Sequence, residues 1–386
     1  MVKYDVVIVG AGASGLMAAI TASNRNRTVA ILEMGTTPGR KIAISGGGNC
    51  NITNTNATYN KYFGNNTQFV RSALHQFSPD DMLRWAQNHK IKLYQKSAGR
   101  YFCCDGANIV IDALMSENKS TDVFYNTNVT DIIKENNLFY IHANTGTFCA
   151  NSVIIATGGI SFPTVGVSDF GYKIAKKFGH KIIPIHPALC MIAIDNNPFT
   201  EFSGISVPAE ITIEKNTLRD DMLFTHMGIG GPAAYRASLY DIKDGIDINL
   251  LPNIDLINIL FNNKSTNGRK QISTILSEFI PIRIAKYFTQ NESRHIADIK
   301  NTELKHIVSS VTKIHIPGSA LKLHSMNTAE VVRGGVSTDE ISSKTMESKL
   351  CSGLYFTGEV LDITGDLGGF NLHWAWASGF VAGQNA

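Results

Sequence analysis

The fold is decided by residues 4–33, which read YDVVIVGAGASGLMAAITASNRNRTVAILE. Residues 4–9 form an apolar, β-branched run, which is typical of a strand buried in a parallel sheet. The run leads directly into residues 10–15, a G-x-G-x-x-G pattern, after which apolar residues recur at helical spacing. A second apolar run, residues 28–32, ends on the acidic Glu33. Together these features predict a βαβ unit that binds a dinucleotide.

The glycines of this turn have separate roles in such a unit. Gly10 allows the tight turn, Gly12 lets a pyrophosphate approach the backbone, and Gly15 lets the helix and strand pack closely. The helix starts at Ala13 and Ser14, where backbone amides and the helix dipole favour phosphate groups. We therefore predict that this turn holds the phosphates of the ligand.

Glu33 lies 18 residues after Gly15, where its carboxylate can accept both hydroxyls of a ribose. A strand before the turn, a helix after it and an acidic end to the next strand favour a bound dinucleotide over a ligand-free glycine turn. The pattern does not distinguish NAD from FAD, so that choice depends on other parts of the chain.

The composition limits the class of protein. A chain of 386 residues is too long for one compact core and predicts two or three domains. A hydrophobic content of 44% and a charged content of 17% are typical of a globular protein. The net charge of +3 permits contact with an anionic partner but does not argue for one. We find no signal peptide and no apolar run near the ~18 residues of a membrane span. We therefore expect a cytoplasmic protein without membrane association.

A second glycine-rich segment follows Glu33. Residues 35–41, GTTPGRK, form a loop with two cations, and residues 45–54 read SGGGNCNITN. Three consecutive glycines between small polar residues present backbone amides, which suits a flat or anionic ligand. The alternative is a flexible surface loop, which the closeness of the first glycine turn disfavours.

Residues 7–16, 39–41 and 45–51 together resemble the start of the BaiN-like flavoproteins. These are FAD-binding oxidoreductases of bacteria, also described as an aminoacetone oxidase family. The likeness continues in residues 222–232 and 329–383. It implies that the FAD is lined by the two loop cations and by the glycine-rich segment, namely Arg40, Lys41, Ser45, Gly46, Gly47, Asn49, Cys50 and Asn51.

The end of the chain carries a second fingerprint. Residues 353–362, GLYFTGEVLD, form a strand that ends in Gly358 and Glu359 and is followed by Asp362. This pattern resembles the second flavin fingerprint of the superfamily, which holds the ribityl chain and the pyrophosphate. Residues 365–375, GDLGGFNLHWA, follow as a glycine turn and a helix start whose amides can face the flavin. The contacts predicted in this turn are Gly369, Phe370 and Asn371. Fingerprints at both ends of the chain favour FAD over NAD.

Two central strands complete the predicted cofactor site. By the resemblance, the backbone of Val129 contacts the adenine. The apolar run 152–155 returns to the central sheet and brings Thr157, Gly158 and Gly159 to the edge of the cofactor.

The predicted fold class is α/β, with a two-segment Rossmann-type FAD-binding domain of the glutathione-reductase-like kind. The segments are residues 1–187 and 322–386. Short β-like runs in residues 188–252 predict an inserted β-rich domain, and residues 253–321 predict a helical cap subdomain. Inside the β-rich part, Gly228-x-Gly230-x-x-Ala233 imitates a dinucleotide turn. Pro232 interrupts it and no acidic residue ends the next strand, so we expect no separate NAD domain.

The six cysteines, at positions 50, 103, 104, 149, 190 and 351, lack zinc-site spacing, so we predict no metal. Adjacent Cys103 and Cys104 are interpreted as apolar filling, because a disulfide between neighbours is strained. The chain has no C-x-x-C or C-x4-C, which argues against a disulfide reductase that needs a dithiol beside the flavin.

We expect an FAD-dependent oxidoreductase in which the flavin carries the redox chemistry. The leading hypothesis is a reductase that takes hydride from NAD(P)H, a transient electron donor, and reduces an electron-poor C=C or C=N bond of a small molecule. Three alternatives stay open: an amine oxidase that uses oxygen, a reductase of uridine in ribosomal RNA, and a non-catalytic flavin-binding sensor. An RNA substrate would require a basic cap and salt-dependent binding. No oligomeric state is predicted.

The sequence does not assign a catalytic acid or base. His226, beside glycines in a stretch shared with the family, is a candidate proton donor, and a histidine satisfied by a neighbouring carbonyl is the equal alternative. The further candidates are Cys50, Arg333 and His373.

Overall fold

The computed structural model describes residues 3–290 and 293–386, which divide into two compact units. Unit 1 contains the described residues up to Pro187 together with Glu330–Ala386, and unit 2 is Ala188–Ala329. Each unit has its own hydrophobic core. The second boundary lies after the predicted residue 322, because the strand Leu321–Leu323 pairs with Ile192–Ile194 inside unit 2.

The strands and helices are numbered in chain order. The first segment of unit 1 has strands β1 (Lys3–Val9), β2 (Val29–Leu32), β3 (Asn51–Asn54), β4 (Tyr62–Phe63), β5 (Leu93–Gln95), β6 (Arg100–Cys103), β7 (Asp122–Phe124), β8 (Val129–Glu135), β9 (Leu138–Ala143), β10 (Gly146–Ile155) and β11 (Ile182–Ala188). Its helices are α1 (Ala13–Ser23), α2 (Arg40–Ile44), α3 (Val70–Gln76), α4 (Pro79–Asn88), α5 (Asn108–Glu117) and α6 (Phe170–Lys177).

Unit 2 follows with strands β12 (Ile192–Ile194), β13 (Ser206–Ile213), β14 (Asn216–Phe224), β15 (Gly228–Gly230), β16 (Ile246–Asn249), β17 (Ile314–Ile316) and β18 (Leu321–Leu323). Its helices are α7 (Gly231–Ala237), α8 (Leu256–Thr266), α9 (Ile272–Leu276), α10 (Ile282–Phe288) and α11 (Asn301–Thr312). The second segment of unit 1 has β19 (Val331–Val336), β20 (Leu354–Phe356), β21 (Thr364–Gly365) and α12 (Phe370–Asn385).

Unit 1 is built on a seven-stranded sheet of order β7-β2-β1-β10-β9-β8, in which β20 also pairs with β10. The strands β7, β2, β1, β10 and β20 run parallel, whereas β9 and β8 form an antiparallel extension. Val6, Val7 and Ile8 are fully buried, as expected for a parallel strand covered on both faces. Because parallel strands end at one edge of a sheet, the turns after β1, β2, β10 and β20 are placed beside one another.

The last helix of the chain packs along the first. Methyl groups at Gly379 and Gly383 of α12 would overlap the carbonyl oxygens of Ser14 and Ala18 in α1. The two helices therefore approach so closely that only glycine fits at these positions. This contact lets the end of the chain hold the helix that starts at the first glycine turn.

Unit 2 contains an antiparallel sheet of order β17-β16-β13-β14-β15-β12-β18. Buried residues of its strands and of helices α7–α11 belong to one core, so the β-rich and helical segments form a single unit. The strand β15 lies antiparallel between β14 and β12, which differs from the parallel βαβ unit of a dinucleotide site. In the described ranges, no helix is both long and apolar enough to cross a bilayer.

Candidate functional site: a glycine cradle between two ion pairs

The turn between β1 and α1 is packed on one side and open on the other. Gly10 has a φ of +109°, and a methyl group on it would lie 2.5 Å from the Ala156 carbonyl oxygen. A methyl group on Gly15 would overlap the Gly10 carbonyl oxygen, so packing requires both glycines. At Gly12, by contrast, no described protein atom lies within 4 Å of the missing side chain. The space beside Gly12, at the N-terminus of α1, suits an anionic group.

Glu33 organises the turn after β2 through three donors. Its Oε2 accepts from the Ala11 amide (2.8 Å), while Oε1 accepts from the Gly35 amide (2.7 Å) and the Arg40 guanidinium (2.8 Å). Methyl groups at Gly35 or Gly166 would collide with this guanidinium. Since a carboxylate offers about four acceptor sites, Glu33 retains at least one acceptor position beyond these three donors. Its contact with both hydroxyls of a ribose stays a prediction.

The segment that leads into β8 lies against the same turn. The Thr127 amide donates to the Glu33 carbonyl oxygen (2.9 Å), and the buried Val129 begins β8 two residues later. Half-buried Tyr125 belongs to this segment. Its burial, and to a smaller extent the nearby charge of Glu33, raise the pKa of its hydroxyl. No sequence motif singles out Tyr125. The chain leaves β7 at Phe124 and brings this aromatic ring near Glu33.

A second ion pair joins α2 to the turn after β20. Lys41 Nζ lies 2.9 Å from Glu359 Oε2 and 2.9 Å from the Ser161 hydroxyl. Glu359 also accepts from the backbone amides of Val332 (3.0 Å) and Gly159 (3.3 Å). A methyl group on Gly159 would lie 2.7 Å from the Glu359 carboxylate. The structure thus brings three predicted residues together, and it adds Ser161, which carries no recognisable sequence motif.

The turn after β10 borders this ion pair. A side chain at Gly158 would meet only the Glu359 carboxylate, at 4.0 Å, among the described atoms. The Thr157 hydroxyl is buried and has no hydrogen-bond partner in the described part of the chain. Gly158 therefore borders open space, whereas Thr157 is turned into the protein.

Residues 45–50 form a left-handed turn. The glycines 46–48 have φ values of +59°, +67° and +89°, and Cys50 has a φ of +46°. At Gly47 and Gly48, nothing in the described chain lies within 4 Å of the position that a Cβ atom would take. The Ser45 hydroxyl points inward to a carbonyl of α2 (2.8 Å), whereas Asn49 is exposed. The turn therefore presents glycine backbone, rather than the Ser45 side chain, to the open space.

Hydrogen bonds tie this turn to the start of α12. The side-chain amide of Asn51, oriented to satisfy both of its polar atoms, accepts from the Gly369 amide (3.0 Å) and donates to a carbonyl of β6 (3.1 Å). The Asn371 side chain bonds the amide (2.8 Å) and carbonyl (3.0 Å) of Gly365, and Phe370 is buried. These predicted residues shape the turn through their own side chains.

The residues after β20 divide between the site and the core. The Gly358 amide donates to the Ser378 hydroxyl (2.9 Å), and its carbonyl accepts from the Trp374 indole (3.0 Å). The Asp362 carboxylate is buried, accepts from the Asn65 amide (2.9 Å), and has a pKa raised by that burial. The side chain of Asp362 thus points into the protein, whereas Glu359 of the same fingerprint forms the ion pair with Lys41.

Two candidate proton donors are enclosed in unit 1. His373 is fully buried, with Nδ1 3.0 Å from the Thr53 hydroxyl, and burial lowers its pKa to about 4. Cys50 is also fully buried. A neutral, enclosed side chain is poorly placed to give a proton to a substrate. Arg333 lies on β19 and is half-buried. Its positive charge acts to lower the pKa of the Asp362 carboxyl, but the opposite effect of burial on that pKa is larger.

His226 lies in unit 2, in the turn between β14 and β15. Thr225 closes this turn, because its amide donates to the Gly228 carbonyl (2.8 Å) and its hydroxyl accepts from the Gly228 amide (3.0 Å). The imidazole of His226 is exposed and makes no hydrogen bond or ion pair to residues within the described ranges. The alternative of an imidazole satisfied by a neighbouring carbonyl therefore finds no support.

The residues present fit FAD. Gly12, Gly47 and Gly48, which together form the glycine cradle, border space that any side chain would fill, as expected where a ligand approaches the backbone. The start of α1 would hold the diphosphate, and Glu33 the adenosine ribose. Lys41 with its acidic partner, together with the 45–50 turn, would hold the flavin half of the molecule.

Comparison with known proteins agrees with this assignment. The family described as "HI0933-like protein Rossmann domain" matches residues 4–385. Ribosomal RNA dihydrouridine synthase of Escherichia coli (strain K12) is 35% identical, covering 100% of this chain and 98% of that protein. The protein of the same name from Haemophilus influenzae is 35% identical, covering 97% and 96%. The 3-dehydro-bile acid delta(4,6)-reductase of Clostridium scindens is 30% identical, covering 98% of each.

Among solved structures, 3-ketosteroid-delta4-(5alpha)-dehydrogenase from Rhodococcus jostii RHA1, in complex with 4-androstene-3,17-dione, is similar with a TM-score of 0.50. The match covers 100% of this chain and 96% of that one at 12% identity, which supports the fold alone. The family match and the relatives extend over nearly the whole chain, and the open glycine cradle fits the cofactor. The chain therefore belongs to the HI0933-like family, as an FAD-dependent oxidoreductase with a Rossmann-type FAD-binding domain.

Proposed function

We propose that this protein reduces the C5=C6 double bond of uridine in ribosomal RNA, with NADH or NADPH as the electron donor. The observation that carries the proposal is the 35% identity, over the full chain, to a relative named ribosomal RNA dihydrouridine synthase. Dihydrouridine is uridine with one hydride and one proton added across that bond. The balanced reaction consumes uridine, NAD(P)H and a proton, and it yields dihydrouridine and NAD(P)+.

The bile acid reductase relative supports the same type of chemistry. Its name describes the reduction of C=C bonds in a 3-dehydro steroid, and the uridine C5=C6 bond is likewise conjugated with a carbonyl. When bound, FAD supplies the hydride. The chain would contribute binding and orientation: Arg40 and Lys41 bring cations to the cofactor, each held by a carboxylate within 2.9 Å.

The reduction also needs a proton at C5. His226 suits this role better than the other candidates, because its imidazole is exposed and makes no hydrogen bond inside the described chain. His373 and Cys50 are enclosed. We therefore propose His226 as the general acid.

Charge in the helical part of unit 2 supports an RNA substrate. Residues 253–321 contain nine Lys or Arg and five Asp or Glu, whereas the whole chain carries a net charge of only +3. Several of these cations are exposed and have no acidic partner among residues 3–290 and 293–386. They are Arg269, Lys286, Lys305 and Lys313. Such a surface would favour the phosphate backbone of RNA over a neutral small molecule.

The test starts from the FAD-loaded protein, which is reduced anaerobically with NADH or NADPH and mixed with an unmodified ribosomal RNA transcript. We expect flavin reoxidation together with a uridine mass increase of two hydrogens, detected by nucleoside mass spectrometry. A 3-keto steroid enone, an amine with oxygen, and a transfer RNA transcript serve as competing substrates. Faster reoxidation by the enone, with no dihydrouridine formed, would replace the proposal with small-molecule reduction. Oxygen-dependent turnover of the amine would replace it with amine oxidation.

The proton donor has its own test. His226→Gln is expected to slow reoxidation of the reduced flavin by RNA at least tenfold, while reduction by NAD(P)H keeps its rate. His75→Gln removes an exposed histidine from unit 1 and serves as the matched control. Equal reoxidation rates in His226→Gln and wild type would exclude His226 as the acid.

A further inference from the structure

Two cysteines that are 53 residues apart in sequence lie at the same end of two paired strands. Cys50 directly precedes β3 and Cys103 ends β6, and the antiparallel register pairs the neighbouring residues Asn51 and Phe102. The Cys103 amide donates to the carbonyls of Asn49 (2.8 Å) and Cys50 (3.4 Å). The backbones of the two cysteines are therefore in direct contact, which suits a disulfide, since the Cα atoms that it joins lie roughly 4.4–6.8 Å apart.

The two thiols are in contact and chemically unequal. A hydrogen bond between them lowers the pKa of the Cys103 thiol and raises that of Cys50, which burial raises further. Cys103 is thus the better nucleophile of the pair, because the thiolate is the reactive form. Both side chains are fully buried, but the following residue, Cys104, is exposed.

We propose that Cys50 and Cys103 form a reversible disulfide when a peroxide reaches them, and that this disulfide weakens the binding of FAD. In the first step the Cys103 thiolate attacks hydrogen peroxide, which gives a sulfenic acid and hydroxide. In the second step the Cys50 thiol displaces water from the sulfenic acid and forms the S–S bond. Overall, two thiols are oxidised by two electrons, and one hydrogen peroxide is reduced to two waters.

The link to FAD comes from the position of Cys50 at the end of the 45–50 turn. Cys50 has left-handed backbone. Two hydrogen bonds hold the turn against β6 and the residues that follow it. The Cys103 amide donates to the Asn49 carbonyl, and the Ala107 amide donates to the Gly48 carbonyl (2.8 Å each). A methyl group at Gly46 would lie 3.0 Å from the Phe102 ring, so the turn is packed closely against β6. An S–S bond of about 2.05 Å is much shorter than a thiol–thiol hydrogen bond. Its formation would therefore pull the glycines of the turn toward β6.

The experiment treats the purified apoprotein with hydrogen peroxide, quenches the reaction with an alkylating agent, and maps the peptides by mass spectrometry. We expect the titratable thiols to fall from six to four and a cross-linked peptide pair to contain Cys50 and Cys103. Dithiothreitol should restore all six. Cys104→Ser and Cys351→Ser are the matched controls that should keep the cross-link, and Cys50→Ser and Cys103→Ser should abolish it.

FAD titration of the oxidised and re-reduced wild-type protein measures the consequence without any activity assay. We expect the Kd to rise at least fivefold on oxidation and to return after dithiothreitol. A cross-link that involves Cys104, retention of six thiols, or an unchanged Kd would overturn the proposal. Because the wild-type protein supplies all of these measurements, a variant that fails to fold does not prevent the test. The outcome is also independent of whether RNA is the substrate.

Discussion

Gly12 and Gly15 lie three residues apart in one turn but meet different surroundings. At Gly15 a side chain would overlap the Gly10 carbonyl oxygen, whereas at Gly12 it would enter open space. Packing therefore requires Gly15, whereas we predict that the ligand requires Gly12. This difference makes the pair a direct test of the cofactor site.

Gly15→Ala is expected to lower the free energy of unfolding by about 2 kcal/mol or more, because the new methyl group forces α1 away from β1. Gly12→Ala is expected to change this free energy by less than about 0.5 kcal/mol, yet to weaken FAD binding at least tenfold. Urea unfolding of the apoprotein and FAD titration measure the two effects. If Gly12→Ala bound FAD as tightly as wild type, the diphosphate could not lie beside this glycine.

His373 gives a second prediction, on pH. Its folded-state pKa of about 4 lies below the ordinary value of 6.5, so between these values the unfolded chain binds a proton that the native protein excludes. The neutral imidazole therefore contributes full stability above pH 6.5, and this contribution is lost as the pH falls toward 4. The loss amounts to about 3 kcal/mol.

His373→Asn is expected to reduce the fall in unfolding free energy between pH 6.5 and 4.5, because Asn can keep a polar contact with Thr53 but does not titrate in this range. Urea unfolding at several pH values provides the slope. His75→Asn, at an exposed position, should keep the wild-type slope. The same slope in all three proteins would show that His373 does not cause the acid sensitivity.

At the scale of secondary structure elements, the contact between α12 and α1 connects the two ends of the chain. Gly379 approaches the carbonyl of Ser14, two residues after Gly12, and Gly383 approaches the carbonyl of Ala18. The N-terminus of α1 is thus positioned by a helix that lies more than 350 residues later in the sequence. Disturbing this contact should affect the fold and the cofactor together.

Gly379→Ala is expected to destabilise the apoprotein by about 1–3 kcal/mol and to weaken FAD binding, because its methyl group separates α12 from α1. Gln384→Ala, at an exposed position on the same helix, is the control and should alter neither property. Thermal unfolding and FAD titration give the two values. A stable Gly379→Ala with wild-type FAD affinity would mean that α12 does not position the cradle.

At the scale of the whole molecule, the chain separates a cofactor unit from a second unit with its own core. The predicted cofactor residues all belong to unit 1, whereas His226 and the exposed cations of the helical segment belong to unit 2. We expect unit 2 to determine what the enzyme acts on. RNA binding can test this division of labour without measuring turnover.

Replacing Lys286, Lys305 and Lys313 together by Ala is expected to weaken binding of a ribosomal RNA transcript and to reduce the slope of log K against log salt by about 2. The control replaces three exposed lysines of unit 1, Lys3, Lys90 and Lys119, which changes the net charge equally. FAD affinity should be unchanged in both triple variants. If both triple variants lost the same amount of RNA affinity, binding would depend on the overall charge of the protein and not on the helical segment.

The sequence by itself determined the elements whose signals are local. The turn after β1 follows from glycine spacing, and α4 begins at Pro79 because Ser78 and Asp81 form a capping box that can be read from the sequence. The α/β class and the FAD-binding family are also confirmed, because each rests on short motifs whose backbone geometry is local. The contacts of single site residues stay predictions.

Only the tertiary structure decided which side chains meet. The pairs Lys41–Glu359 and Cys50–Cys103 join distant segments, and no local pattern encodes the folding that brings them together. The same holds for the inward position of Asp362 and His373, which hydrogen bonds from other elements hold in place. Local backbone preferences act over a few residues, whereas pairing and burial depend on how the whole chain closes. The cofactor family can therefore be read from the sequence, but the ion pairs, the dithiol and the enclosed histidine require the folded protein.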